Sequence, residues 1–266
     1  MGKGLTATFI LLLVSLIVVS AVGYSYFSSY GKLFYLNGGG GGGGGGSSSP
    51  YFTINSFPST GYMGPSQSIS FYVVLLSVNG FSGYVSLTSS NCPLKATCSF
   101  SSSNVYVPSG SSAVSVHTIA AYQNGGYTVI PEGSYTIIFT GKSGAVNYTK
   151  SVLLKVEQLK ILTQSPLPSA TVGKPYRVDL RASGGMPPYK WTGTGGFWGA
   201  WPGFTLYTNG TLYSASVQNY CYCCLACIPD PSYPQTGGFQ ASVTDSYTGF
   251  IKTSLVQTFS ITFNKP

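Results

Sequence analysis

Tyr176-Arg177-Val178-Asp179-Leu180-Arg181-Ala182 alternates apolar and charged side chains without a break. Successive side chains on a β-strand point to opposite faces, so Tyr176, Val178, Leu180 and Ala182 share one face. Arg177, Asp179 and Arg181 share the other. The apolar face predicts contact with a core, and the charged row predicts a solvated face that discourages edge pairing. Downstream, Phe239–Thr244 and Ser254–Phe263 read as the last strands of the same body. Upstream, short runs of strand character recur in Ser70–Leu76, Tyr84–Leu87, Val105–Val107, Ala113–Ala120, Tyr135–Thr140 and Val152–Val156. Turn formers separate them: Asn79-Gly80, Pro108-Ser109-Gly110, Asn124-Gly125-Gly126 and Pro131-Glu132-Gly133. About seven strands at this spacing predict an antiparallel sandwich upstream of Gln158. Tyr135, next to Gly133-Ser134, fits either a corner tyrosine whose hydroxyl bonds to backbone or a plain core tyrosine. Beyond the N-terminus no stretch sustains a 3.6-residue period.

Two resemblances follow from the order of these residues. Asn79-Gly80-Phe81-Ser82-Gly83-Tyr84-Val85-Ser86-Leu87, Ala96-Thr97-Cys98-Ser99-Phe100, Val107-Pro108-Ser109-Gly110-Ser111 and Pro131–Thr136 resemble the immunoglobulin-like repeats of bacterial and archaeal surface proteins. Leu167–Tyr176, Ala182–Trp191, Pro202–Leu206, Asn209-Gly210-Thr211-Leu212 and Val243-Thr244-Asp245-Ser246 resemble the putative-Ig repeats of prokaryotic surface proteins. The second pattern is interrupted between Leu212 and Phe239, where a Cys- and Pro-rich insertion replaces a tight turn. The resemblances imply architecture and an extracellular setting. They imply no activity. By its place in the second pattern, Trp191 is expected in the core.

The N-terminus is of a different kind. Leu5 to Val22 carries no charge, and about twenty helical residues span the hydrocarbon of a bilayer. Lys3 precedes the run, and Tyr24, Tyr26, Phe27, Tyr30, Phe34 and Tyr35 follow it as an interfacial belt would. Gly38–Gly46 is unbroken glycine, and with the following serines it reads as a leash with a reach of about 20 Å. The expected fold class is therefore all-β: two tandem Ig-like β-sandwich domains preceded by one N-terminal transmembrane α-helix. The segments are 1–37 (helix, anchor or leader), 38–50 (linker), 51–157 (first sandwich) and 158–266 (second sandwich, with the insertion at 213–238). A retained anchor in the lipid bilayer through Leu5–Tyr24 predicts a single-pass membrane protein with its C-terminal domains outside the cell. Two alternatives are cleavage after Gly23, giving a secreted form, and cleavage after Gly4. The second resembles the class III leader of archaeal type IV pilins, except that Phe9 stands where that family often carries Glu.

Charge is scarce: 13 Lys and Arg, 5 Asp and Glu, one His, and a formal net charge of +8. The excess comes from missing acids and the lysines are scattered, which argues against a nucleic-acid groove. The expected function is a cell-surface structural or adhesive one, through contacts with envelope polysaccharide, glycans or other surface proteins. Exposed edge strands leave a homo-polymer open. No catalytic set and no cofactor are expected. His117 follows Val114 and Val116 and is expected to face solvent with Ser115. Glu132, Glu157, Asp179, Asp230 and Asp245 show no spacing of a catalytic carboxylate pair. Asp245 is expected in a turn, with calcium as the rival reading.

Six cysteines in an exported chain argue for disulfides. Cys92 and Cys98 would close a short loop. Cys221, Cys223, Cys224 and Cys227 suit short crossing bridges, a thiolate metal site or free thiols; disulfides and no metal are expected. Asn147-Tyr148-Thr149 and Asn209-Gly210-Thr211 are glycosylation sequons. Trp198, Trp201, Tyr207 and Tyr222 are the aromatic ligand-contact candidates, with packing over a sandwich end as the alternative for the two tryptophans.

Overall fold

Every regular element in the computed structural model, which describes residues 49–123, 125–196, 203–218, 233–249 and 253–265, is a β-strand. The first sandwich runs β1 (Tyr51–Phe57), β2 (Thr60–Met63), β3 (Ser68–Val78), β4 (Gly83–Ser90), β5 (Thr97–Phe100), β6 (Asn104–Val107), β7 (Ser112–Ala120), β8 (Tyr122–Gln123), β9 (Gly126–Tyr127), β10 (Gly133–Ser143) and β11 (Val146–Val156). One sheet has the order β1-β3-β7-β5 and the other β2-β11-β10-β4-β6, with β8-β9 as a small hairpin. The chain changes sheet between β1 and β2 at Pro58, whose missing N–H cannot continue a ladder. β2 then pairs parallel with the last strand, β11. The six expected runs of this domain all fall within strands. The hairpin joining β3 to β4 turns at Asn79 and Gly80, both at positive φ (51° and 78°), as an Asn-Gly turn requires.

Inward side chains from both sheets fill one core: Phe52, Phe71 and Phe139 are fully buried, with Val73, Leu75, Ile119, Ile137 and Leu154 around them. Each such side chain contributes about 2–3 kcal/mol of burial. Tyr135 is a corner tyrosine: its hydroxyl donates to the Pro131 carbonyl at 2.8 Å.

The second sandwich runs β12 (Lys160–Ile161), β13 (Ala170–Thr171), β14 (Tyr176–Asp179), β15 (Ala182–Ser183), β16 (Lys190–Gly196), β17 (Thr205–Leu206), β18 (Thr211–Ser214), β19 (Gln235–Thr244) and β20 (Ser254–Asn264). Its sheets have the orders β13-β20-β19-β16 and β14-β18-β17, with β12-β15 beside them. β13 pairs parallel with β20, as β2 does with β11. The core is aromatic: Trp191, Phe239, Phe259 and Phe263 are buried, and Phe204 packs edge-on against Tyr176. Tyr176 serves as a second closing tyrosine, its hydroxyl donating to the Pro168 carbonyl at 2.9 Å. Burial pushes that phenol up to about 12. Tyr135→Phe and Tyr176→Phe are each expected to cost about 1 kcal/mol in urea unfolding.

The run 176–182 keeps its alternation of burial but is not one strand. It pairs with β18 as far as Asp179 and with β12 from Ala182. Between them Arg181 N–H donates to Thr163 Oγ1, and Leu180 N–H donates to the Gly210 carbonyl. The chain hands over from one partner to another without losing its two-residue period.

The expected class needs correction. No helix of any kind occurs among the described residues, and none there is long and apolar enough to cross a membrane. The architecture of the described residues is all-β tandem sandwiches, and a transmembrane α-helix is no part of it. The segment that prompted that expectation, Leu5–Tyr24, lies outside the described residues, as do the leash to Ser48 and the pilin-like leader. An apolar run of bilayer length is a statement about composition, and the described fold owes nothing to it. The apolar residues of the described strands follow a two-residue period and are consumed by two protein cores.

Candidate functional site

Strand alternation decides which tyrosines are exposed. On β4 and β6 the buried set is Val85, Leu87, Val105 and Val107. The opposite face therefore presents Tyr84 and Ser86 beside Tyr106 and Asn104. Tyr84 pairs in register with Tyr106, and Ser86 with Asn104. The two rings sit 5.2 Å apart at 58°, and they are 63% and 49% exposed. Ser82 Oγ, 2.8 Å from the Tyr106 hydroxyl, fixes one of them. Across β10 the row continues with Lys142 opposite Ser86, and across β11 with Asn147 opposite Lys142. A second row runs Thr88, Thr140, Thr149. None of these residues is acidic.

A second exposed pair, Tyr122 and Tyr127, stands on the β8-β9 hairpin with rings 5.7 Å apart. The loop closed by the Cys92–Cys98 disulfide supports it. Gln123 Nε2 donates to the Ala96 carbonyl at 3.0 Å, Thr128 Oγ1 to the Lys95 carbonyl at 2.6 Å, and Thr97 Oγ1 to the Tyr122 carbonyl. Reducing this disulfide is expected to cost about 2 kcal/mol for so short a loop. Thermal melts with and without reductant, on Cys92→Ser/Cys98→Ser as the reference, measure it.

The two sandwiches meet through a polar joint that no local pattern announces. Gln67, at the end of the β2–β3 loop, donates from Nε2 to Asp245 Oδ2 at 2.6 Å, while its Oε1 accepts from Gly64 N–H at 2.7 Å. Both side chains are buried. Asp245 also accepts from Met186 N–H at 3.2 Å and Tyr247 N–H at 3.3 Å. Its two oxygens thus accept from N–H donors of both sandwiches, which makes this aspartate a clasp between them. Ser68 and Tyr247 hydroxyls lie 3.1 Å apart, and Lys160 pairs with Glu132 at 3.1 Å. Gly184 and Gly185 are required here. A Cβ on Gly184 (φ 74°) would stand 1.9 Å from the Gln158 carbonyl oxygen, and one on Gly185 would stand 2.5 Å from Asp245 Oδ2. Burial, then Glu157, Asp245 and Tyr62, push the neighbouring Tyr189 phenol up.

The expected orientation of His117 is wrong. It does share a face with Ser115, but that face is the core. The imidazole lies between the rings of Phe100 (4.6 Å) and Phe139 (4.8 Å), with Nε2 3.0 Å from Ser89 Oγ. Its Nδ1 has no partner. Burial lowers its pKa to about 4, which holds it neutral. Ser115 misled the reading because it is buried polar, donating to the Ser102 carbonyl at 2.7 Å.

The other sequence candidates are scattered. Asn147, Tyr148 and Thr149 are all exposed on β11. In the second sequon Asn209 Oδ1 accepts from Thr211 N–H at 3.1 Å, and the Thr211 hydroxyl donates to Asp179 at 2.8 Å. That bond, opposed by desolvation and aided by Arg177 and Arg181, holds the Asp179 carboxyl below its usual range. Asn209 and Arg181 also line an open groove of about 480 Å³ with Leu162, Tyr189 and Trp191. Tyr207 is half-exposed in the turn after β17. Trp198, Trp201, Tyr222, Cys221, Cys223, Cys224 and Cys227 lie outside the described residues. Among the described residues no cluster of metal-ligating side chains occurs.

No family model and no curated protein matches the chain. Among solved structures, domains 4 and 5 of the S-layer protein SbsC align at 28% identity over 41% of this chain and 53% of theirs, with a TM-score of 0.27. Domains 5–6 of the same S-layer protein align at 17% identity over 82% of this chain and 99% of theirs, with a TM-score of 0.29. Fibronectin(III)-like modules of Clostridium thermocellum CbhA align at 10% identity over 81% and 95%, with a TM-score of 0.30. The chain spans about half the length of the first of these. They are distant, partial likenesses to β-sandwich modules, including those of a surface layer; the strand topology described above defines the fold. No helix among the described residues is long and apolar enough to cross a membrane, and the expectations of membrane anchoring, of the bilayer as a partner and of a single-pass location are withdrawn.

Proposed function

We propose that the two sandwiches form a structural and adhesive module working outside the cell, a stiff spacer that presents tyrosine-rich faces. The observation that carries this reading is the buried Gln67–Asp245 bond, which ties one sandwich to the other at 2.6 Å. Flexible tandem domains leave their interface wet and exchangeable. A buried carboxylate with its donors supplied from both bodies instead resists reorientation, because opening the joint would expose unpaired groups. A spacer that transmits load or holds a contact face at a fixed angle needs that property.

The setting is supported by chemistry. A disulfide-closed loop suits an oxidising compartment. A surface of Ser, Thr, Asn and Tyr with only 7% charged residues in the chain suits contact with hydroxylated polymers. The putative-Ig pattern quoted for the second sandwich points the same way. The module acts without catalysis. The chain's single histidine is sealed between two phenylalanines. Asp179, Asp245 and Glu132 each serve a structural bond.

Labelling of intact native cells with a membrane-impermeant amine reagent tests the setting. Lys142 and Lys155, both on the outer face of the five-stranded sheet, are expected to react before lysis. Reaction only after lysis contradicts the proposal.

A further inference from the structure

We infer that the Tyr84–Tyr106 end of the five-stranded sheet binds an uncharged polysaccharide of equatorially linked pyranoses. This rests on the adhesive reading above and names the ligand class of that function. Three observations carry it.

The first is the rings. Tyr84 and Tyr106 are paired in register, exposed, and inclined at 58°, so they form a shallow open V and not a closed stack. An equatorially substituted pyranose presents a flat face of C–H groups, and tyrosine faces carry the partial negative charge that such hydrogens meet favourably. The Ser82–Tyr106 bond holds one ring in place before a ligand arrives, which reduces the ordering cost of binding.

The second is the polar row beside the rings. Asn104, Ser86 and Lys142 occupy three adjacent strands in register, all exposed, and offer amide, hydroxyl and ammonium groups. Neighbouring strands lie about 4.8 Å apart, close to the repeat of an extended pyranose chain. A chain crossing the strands therefore meets one polar side chain per sugar, with the Thr88–Thr140 row alongside.

The third is charge. One lysine and no acid occur among these residues, so nothing on the platform selects an anionic polymer by repeated ion pairs, and nothing repels a neutral one. A protein partner would require an apolar centre that can be emptied of water. Here the rings adjoin hydroxyls and an amide. The groove near Asn209 is a weaker candidate, because its Trp191 is only 2% exposed and cannot offer a ring face.

The test titrates the full chain with chitohexaose and cellohexaose, and with maltohexaose as the axially linked control, by NMR of the amides. Shifts confined to Tyr84, Ser86, Asn104, Tyr106 and Lys142 with the first two sugars are expected. Tyr84→Ala and Tyr106→Ala should each weaken binding about tenfold, while Tyr84→Phe and the distant Tyr122→Ala should retain it. All three residues are exposed, and a thermal melt of each of the four variants verifies folding. Equal binding of maltohexaose, absence of binding by either flat sugar, or binding unaffected by Tyr84→Ala each overturns the inference. If no sugar binds but Tyr84→Ala abolishes attachment to envelopes stripped of polysaccharide, the face takes a protein and the glycan assignment fails. Surface labelling of intact cells reads the extracellular setting of the broader proposal independently of any sugar, so the two failures are distinguishable.

Discussion

Replacing Asp245 with alanine is expected to cost about 3 kcal/mol and to uncouple the two sandwiches. The buried carboxylate accepts from Gln67 Nε2, Met186 N–H and Tyr247 N–H. Its removal leaves three donors facing a cavity, each of which has lost a charge-assisted bond. Gln67→Ala removes one donor and should cost less, about 1–2 kcal/mol, because the backbone donors keep the carboxylate. The double variant should cost less than the sum of the two, since the Gln67–Asp245 bond is counted twice in the singles. Gly184→Ala attacks the same joint by steric means, with its Cβ 1.9 Å from the Gln158 carbonyl oxygen at a positive φ. Urea unfolding of each variant reads the cost. Additivity of the two single variants would show that the bond contributes nothing across the joint.

Acid is expected to weaken the first sandwich by about 3 kcal/mol between pH 6.5 and pH 4. Burial holds the His117 pKa at about 4 in the folded chain, against 6.5 when unfolded. Between those values the unfolded chain carries a proton that the native core refuses. Stability is thus fully present above pH 6.5, falls by about 1.4 kcal/mol per pH unit on acidification, and levels off below pH 4. His117→Phe keeps the ring contacts with Phe100 and Phe139 and removes the unpaired Nδ1. That variant should lose this component of the pH dependence, leaving the carboxylate contribution at lower pH. An unchanged slope in His117→Phe would assign the acid sensitivity elsewhere.

What sequence alone could reveal divides along the range of the interactions. The two-residue period of Ser70–Leu76, Tyr135–Thr140 and Phe239–Thr244 is local, and each lies in a strand. The Asn79-Gly80 turn is equally local, because its backbone angles demand those residues. Alternation puts Tyr84 and Tyr106 on the face opposite Val85 and Val105, but nothing local brings the two rings together, since their meeting depends on the β4–β6 register. His117 was misplaced because Ser115 beside it is polar, and its solvation by the Ser101–Ser102 backbone and side chain is a tertiary fact. The break at Leu180 was invisible because both partner strands respect the same alternation. The joint was least legible of all: Gln67 and Asp245 are 178 residues apart, and neither has a pattern around it that names the other. The N-terminal apolar run, by contrast, was easy to read and told nothing about the described fold.

The stiffness of the joint is best tested by residual dipolar couplings on the full chain, fitted separately for residues 51–156 and 159–265. A clasped joint predicts alignment tensors of equal magnitude and common orientation for the two sandwiches, diverging in Asp245→Ala. Tensors that already differ in the unmodified protein would contradict it, since sandwiches that reorient freely share no fixed frame.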